Sequence, residues 1–224
     1  MSRQSAFIFD MDGTLVDSML FHIQAWMDLL AERGMRATPD AFLRQTGGKT
    51  NHQILREVFG ECLSEAEIAA YAERKEALYR SLYRSHLKPL AGLVEFLNEA
   101  QRLHIPMAVA TSAGKANREF VLQGLGIESY FSAVIGVEEI QEGKPHPEIF
   151  LKAAQKLGVD PADCLVFEDA LAGIEAAFRA GMKAVALTTT VDRETFQGLP
   201  AVIRIAKDFT SLLPRALLTA MGNP

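Results

Sequence analysis

The run Ala6-Phe7-Ile8-Phe9 is apolar throughout and stops at Asp10, with Gly13 following as a turn former. A short apolar run closed by an acid and a glycine predicts a buried parallel strand, because a strand covered on both faces has no need to alternate. Comparable runs recur at Pro106–Ala110, Ala133–Gly136, Cys164–Phe167 and Lys183–Leu187. Segments of helical period separate them. Leu90–Leu103 sets Leu93, Phe96, Leu97 and Ala100 on one face, and Asn117–Leu125, Pro147–Leu157 and Ala170–Ala180 follow suit. Strands alternating with helices of this length predict an α/β fold on a doubly wound parallel, Rossmann-like sheet.

From Val16 to about Leu87 the pattern changes. No convincing strand occurs there, and four helices are predicted in succession at Met19–Arg33, Asp40–Gln45, Asn51–Phe59 and Glu65–Tyr83, with Gly34, Gly47-Gly48 and Gly60 between them. Roughly 70 helical residues are too many for a crossover, which in such folds is a few residues plus one helix. The economical reading is a helical cap, residues 16–87, inserted into an α/β core made of residues 1–15 and 88–224. The end of the chain, Ala216–Pro224, reads as a fraying helix.

Composition narrows the class. The 224 residues suffice for a sizeable core, and 49% hydrophobic with 23% charged residues argues against disorder. A net charge of −5 offers no general attraction for nucleic acid or an anionic membrane. No apolar run approaches the roughly 20 residues of a spanning helix. Met1–Ser5 leads directly into a strand rather than a signal peptide, so a cytoplasmic protein is expected, with a monomer as the default. Cys62 and Cys164 stand alone and imply neither a disulfide framework nor a zinc site.

Ligands of open parallel sheets bind beyond the carboxyl ends of the strands. There the sequence places Asp10-Met11-Asp12-Gly13-Thr14 after the first strand, Thr111-Ser112 after the second, Lys144-Pro145 before a helix, and Glu168-Asp169 after the fourth strand. Asp10 and Asp12 point the same way while the chain stays extended. Packed carboxylates need a proton or a cation between them, and with Glu168 and Asp169 alongside, a hard divalent ion such as Mg²⁺ is the natural solution. Asp10 could then attack phosphorus and Asp12 exchange protons with the leaving and entering oxygens. Thr111 and Lys144 could hold the other phosphoryl oxygens. Each element alone has a plainer reading: a turn at Asp10–Asp12, a helix cap at Thr111-Ser112, an N-cap at Asp169, a surface lysine at Lys144. Their order along one sheet edge favours the chemical reading.

The stretches Phe9–Ser18, Ala110–Ser112, Gly143–Pro145 and Phe167–Ala170 resemble the four signatures of the haloacid dehalogenase-like hydrolase superfamily, and the inserted helices resemble its small helical cap. The resemblance implies Asp10 as nucleophile, Asp12 as general acid and base, and Thr111, Ser112 and Lys144 as phosphate-binding. It further implies Mg²⁺ held by Asp10, the Asp12 carbonyl and Asp169, with Glu168 nearby or linked through water. Carbon–halogen cleavage would leave Asp12 and the Glu168-Asp169 pair without a role, so phosphoryl transfer is preferred.

Within the cap the likeness is to β-phosphoglucomutase and related sugar phosphatases. His22, Trp26, Leu29 and Arg33 share one stripe of the first cap helix. The resemblance implies that His22 faces the active site and that Lys75 contacts substrate; for Lys75 a solvated helix face is the other reading, and Trp26 is expected in the cap core. Mutases of this kind carry an arginine in the loop corresponding to Thr46–Asn51, where this chain offers only Lys49, a point charge without a bidentate fork. Thr14, at a usually aliphatic position in mutases, also leans toward a phosphatase. Neither a Walker motif nor a dinucleotide loop is present, since Gly47–Thr50 lacks its upstream glycine and strand, and Gly124–Ser129 follows a helix. The expected function is Mg²⁺-dependent hydrolysis of a small phosphorylated metabolite, a sugar phosphate, through an aspartyl-phosphate. The alternatives are a β-phosphoglucomutase-type mutase and, in another class, a receiver-like phospho-acceptor. Asp10 on the first strand, Asp12 and the insertion count against the receiver.

Overall fold

The computed structural model describes residues 4–46, 50–60 and 63–222. The chain forms two compact units, one of Met1–Asp17 with Leu87–Pro224 and one of Ser18–His86.

The first unit is built on a parallel sheet. Its strands among the described residues are β1 (Ala6–Phe9), β2 (Met107–Ala110), β3 (Ala133–Ile135), β4 (Cys164–Glu168), β5 (Lys183–Leu187) and β6 (Val202–Ala206), in the order β3-β2-β1-β4-β5-β6. Strands β1, β2 and β4 are buried along their whole length, which is why they read as unbroken apolar runs. The two faces differ in bulk. Ala6, Ile8, Ala108, Ala110, Val166 and Ala184 line one face, where small side chains let Ile149, Phe150, Ile174 and Ala177 pack close. On the other, Phe9 stacks on Phe167 with ring centroids 4.5 Å apart, and Phe7, Phe96 and Phe209 complete an aromatic cluster. Register pairs Phe9 with Phe167, and the amide of Asp10 donates to the carbonyl of Phe167 at 3.0 Å, carrying the ladder one residue past β1.

The second unit holds α1 (Met19–Glu32), α2 (Pro39–Thr46), α3 (Asn51–Phe59) and α4 (Glu65–Tyr83). Trp26, Leu29, Leu30, Phe42, Ile54, Leu55 and Ile68 form its core, so Trp26 packs as expected. Capping boxes at Thr50/Gln53 and Ser64/Glu67 start α3 and α4 sharply. The sheet unit carries α5 (Leu93–Arg102), α6 (Lys115–Gly124), α7 (Glu148–Leu157), α8 (Leu171–Arg179), α9 (Arg193–Phe196) and α10 (Pro214–Met221).

Three readings need correction. Strand β6 has no counterpart in the sequence-based prediction, because it is an edge strand whose Arg204 interrupts the apolar run. The terminal helix is anchored as far as it is described: α10 buries Leu217 and Met221, ends on left-handed Gly222, and its Met221 carbonyl accepts from Lys183 Nζ at 2.9 Å, while Asn223 and Pro224 lie outside the described residues. Asp169 is not the cap of α8, whose N-cap is Ala170. No helix among the described residues is long and apolar enough to cross a membrane.

Candidate active site

Strand order reverses between β1 and β4, since successive connections run toward β3 on one side and toward β6 on the other. At such a switch point the loops leaving two adjacent strands diverge and open a crevice. Asp10 leaves β1 and Asp169 follows β4, so both flank it. Lys144 enters from the loop ahead of α7. Its Nζ donates to Asp10 Oδ1 and to Glu168 Oε1, both at 2.6 Å, and lies 4.9 Å from the ring centroid of Phe150. Glu168 is fully engaged: its Oε2 accepts from the amides of Asp169 at 2.8 Å and Ala170 at 2.7 Å. Thr14 Oγ1 donates to Asp169 Oδ1 at 3.1 Å, and Thr190 Oγ1 donates to Asp169 Oδ2.

The loop after β1 depends on Gly13. Its φ of 85° is one that side chains with a Cβ rarely adopt, and a Cβ there would stand 2.0 Å from Asp169 Oδ2. The Gly13 amide donates to the Val16 carbonyl at 2.7 Å, closing the tight turn in which half-buried Asp12 sits, and Thr189 Oγ1 donates to the Gly13 carbonyl. After β2, Thr111 is buried and Ser112 exposed. Thr111 Oγ1 accepts from the amide of Ala113 at 3.1 Å, which leaves the hydroxyl hydrogen for donation.

Burial dominates the electrostatics. It pushes the Asp10 carboxyl well above the usual carboxylate range, against the pull of Lys144 and with the help of Glu168 and Asp169. Asp169 is pushed up to about 7 by burial and by the charge of Glu168. Burial works against the Lys144 ammonium, but Asp10 and Glu168 outweigh it and raise its pKa. Three buried carboxylates thus face one ammonium. That surplus of negative charge suits a hard cation, and a magnesium-sized ion needs only one or two carboxylates. Asp10 and Asp169, which flank the crevice, could offer carboxylate oxygens to such an ion, while Glu168 is held by Lys144 and two backbone amides. Among the described residues no group of three or more His, Cys, Asp or Glu side chains is assembled as a ligand set.

The helical unit gathers its own polar cluster. Lys75 is 3% exposed, which excludes a solvated position. Its Nζ lies 2.8 Å from His22 Nδ1 and donates to Glu76 Oε1 at 3.0 Å, and Asn51 Nδ2 donates to the same Glu76 oxygen at 2.6 Å. The His22 ring stacks on Tyr79 at 3.7 Å. His22 and Lys75, singled out separately in the sequence, are therefore partners. Lys49 and Cys62 lie outside the described residues. Cys164 is a buried free thiol, pushed by burial up to about 12, and takes no part in either cluster.

Sequence reasoning missed Thr189, Thr190, Asn51 and Glu76. The hydroxyl run Thr188-Thr189-Thr190 at the carboxyl end of β5 was the available signal.

Residues 7–187 match the family model described as haloacid dehalogenase-like hydrolase. Over 183 residues the chain is 36% identical to fructose-1-phosphate phosphatase YqaB of Escherichia coli (strain K12), covering 82% of this chain and 96% of that protein. Among solved structures, a family IA, variant 3 hydrolase from Entamoeba histolytica superposes with a TM-score of 0.90 at 28% identity, over 98% of this chain and 100% of that one. β-Phosphoglucomutase from Clostridium difficile gives a TM-score of 0.83 at 27% identity, over 98% and 97%. The carboxylate-rich switch point, the matching family model and these likenesses agree: the chain is an enzyme of the haloacid dehalogenase-like hydrolase family.

Proposed function

We propose that this enzyme is a Mg²⁺-dependent phosphatase that hydrolyses a sugar monophosphate through an aspartyl-phosphate on Asp10. The observation that carries the reading is the Lys144 ammonium bridging Asp10 and Glu168 beside the hydroxyl-clamped Asp169. Bound Mg²⁺, held by Asp10, Asp169 and the Asp12 carbonyl, supplies charge neutralisation for the transferring phosphoryl group.

An oxygen of the Asp10 carboxylate attacks phosphorus, and the bond from phosphorus to the ester oxygen breaks. Asp12 gives its proton to that departing oxygen. Water then attacks the aspartyl-phosphate, returns a proton to Asp12, and releases inorganic phosphate with Asp10 restored. An ammonium has three N–H donors. Two of those on Lys144 are engaged by Asp10 and Glu168, and the third serves a phosphoryl oxygen, as does the Thr111 hydroxyl. Glu168 acts by positioning Lys144.

Substrate preference is assigned to the helical unit, through His22 and Lys75. Lys75 is already faced by Glu76, so this cluster is better suited to sugar hydroxyls than to a second phosphate. This favours hydrolysis over phosphate exchange through a bisphosphate. The likeness to fructose-1-phosphate phosphatase supports the same choice, and the likeness to β-phosphoglucomutase sustains the mutase as the second reading.

The test is ³¹P NMR with Mg²⁺ and a panel of sugar monophosphates, including β-glucose 1-phosphate with a trace of the bisphosphate. Growth of inorganic phosphate, absent in Asp10→Asn, is the expected result. A phosphoester resonance that moves without free phosphate means a mutase, and Asp10→Asn turning over normally overturns the nucleophile.

A further inference from the structure

The turn that carries Thr111 is gripped from both sides. Inside, Thr111 Oγ1 holds the Ala113 amide at 3.1 Å; outside, Arg118 Nη1 of α6 donates to the Ala113 carbonyl at 2.7 Å. The same guanidinium nitrogen donates to Glu138 Oε2 at 2.7 Å, and Glu138 Oε1 accepts from the Lys115 amide at 2.8 Å. Glu138 thereby ties the loop after β3 to the start of α6. That loop continues to Lys144 and is itself stapled: Glu139 Oε1 accepts from the Gly136 amide at 3.2 Å, and Glu148 Oε2 accepts from the amides of Gln141 at 2.9 Å and Glu142 at 3.0 Å. The Arg118–Glu138 pair is thus a direct side-chain tie between the loop bearing Thr111 and the loop leading to Lys144.

Space for the tie comes from Gly136. A Cβ there would stand 1.5 Å from Arg118 Nη1 and 2.1 Å from Cζ. The backbone at Gly136 is extended, with φ −118° and ψ 179°, so alanine meets no conformational obstacle. The three nearest atoms to such a Cβ all belong to the flexible end of Arg118.

We infer that Arg118 and Glu138 are positioning residues that hold Thr111 and Lys144 at the separation needed to grip one phosphoryl group. Neither touches the phosphate; they act through the Ala113 carbonyl and the loop after β3. This rests on the phosphate-binding roles proposed above for Thr111 and Lys144.

Binding of inorganic phosphate in the presence of Mg²⁺, measured by calorimetry, tests it on the full chain. Gly136→Ala, which displaces the guanidinium without removing a charge, and Arg118→Met are each expected to weaken phosphate binding about tenfold, the value of a charged hydrogen bond. Mg²⁺ affinity and the unfolding temperature should stay near wild type, whereas general damage would move all three. Phosphate affinity within about twofold of wild type in Gly136→Ala, or an equal loss of Mg²⁺ binding, overturns the inference. Gly136→Ala decides the matter if Arg118→Met fails to fold. Lys144→Ala separates the two claims. If it also retains phosphate affinity, the phosphate-binding assignment itself falls; if it alone loses affinity, only the positioning role falls.

Discussion

Lys144→Met is the most exacting perturbation of this site. It keeps the aliphatic stem beside Phe150 and removes the one ammonium that faces Asp10 and Glu168. The three side chains are 9%, 10% and 2% exposed, so solvent does little to screen the loss. Removing one partner of a buried ion pair costs about 3–5 kcal/mol. Asp10 limits that cost by taking up a proton, at about 1.4 kcal/mol for each unit of pKa. In a folded variant the Asp10 pKa, already raised by burial, lies further above its unfolded value, so the folded state holds an extra proton and stability falls as pH rises. In EDTA we therefore expect a loss of about 4 kcal/mol at pH 8 and about 1 kcal/mol at pH 5, combining these two magnitudes. For a chain of this size that corresponds to about 8–16 °C in unfolding temperature at pH 8. Calorimetric unfolding at the two pH values is the assay. Wild-type stability at pH 8 would falsify the charge argument, and a loss of equal size at both pH values would assign the effect to packing instead.

Other expectations follow from the same geometry. Thr190→Val removes one of the two hydroxyls that hold Asp169; Mg²⁺ affinity should drop about tenfold with unfolding little changed, and an unaltered titration would show that Thr190 orients nothing. In the metal-free protein, Asp10 and Asp169 bind protons more tightly folded than unfolded. Stability should therefore decline as pH rises from the ordinary Asp value of 3.8 toward about 7, and Mg²⁺ should raise the unfolding temperature more at pH 8 than at pH 5.5; a flat pH profile contradicts this. Lys75→Met removes the ammonium shared by Glu76 and His22, so preference among sugar phosphates should shift while Mg²⁺ affinity holds. Equal losses toward every substrate would deny the helical unit its assigned role.

The strands easiest to read in the sequence are those buried along their whole length, although the partly buried edge strand β3 was readable too. Phe7 and Phe9 belong to one face and Ala6 and Ile8 to the other, and both are apolar, so β1 announced itself as an unbroken run. Edge strand β6 did not, because Arg204 at its exposed position breaks the pattern. The helix starts at Asn51 and Glu65 were recoverable because capping boxes fix them locally. That Asp10, Thr111, Glu168 and Asp169 lie on one edge could be anticipated, since strand ends on a parallel sheet share an edge. Which of them touch could not. Lys144 meets Asp10 and Glu168 through a long loop, and Thr14 meets Asp169 across 155 residues of chain. The Lys75–His22 contact was hidden for the same reason, as its two ends lie on separate helices.

The order β3-β2-β1-β4-β5-β6 also governs when the enzyme can come into being on the ribosome. Strand β1 is made well before β4, yet one of its flanks belongs to β4, with Phe9 opposite Phe167. At about 5–20 residues per second, roughly 160 residues of synthesis separate the two, or some 8–30 s. Throughout that interval the fully apolar β1 has an open edge of unpaired amides and carbonyls. The helical unit, contiguous from Ser18 to His86, has all of its own chain in hand well before then. No nascent chain that stops short of Asp169 contains both walls of the crevice, so truncated products of this protein carry Asp10 in an incomplete site.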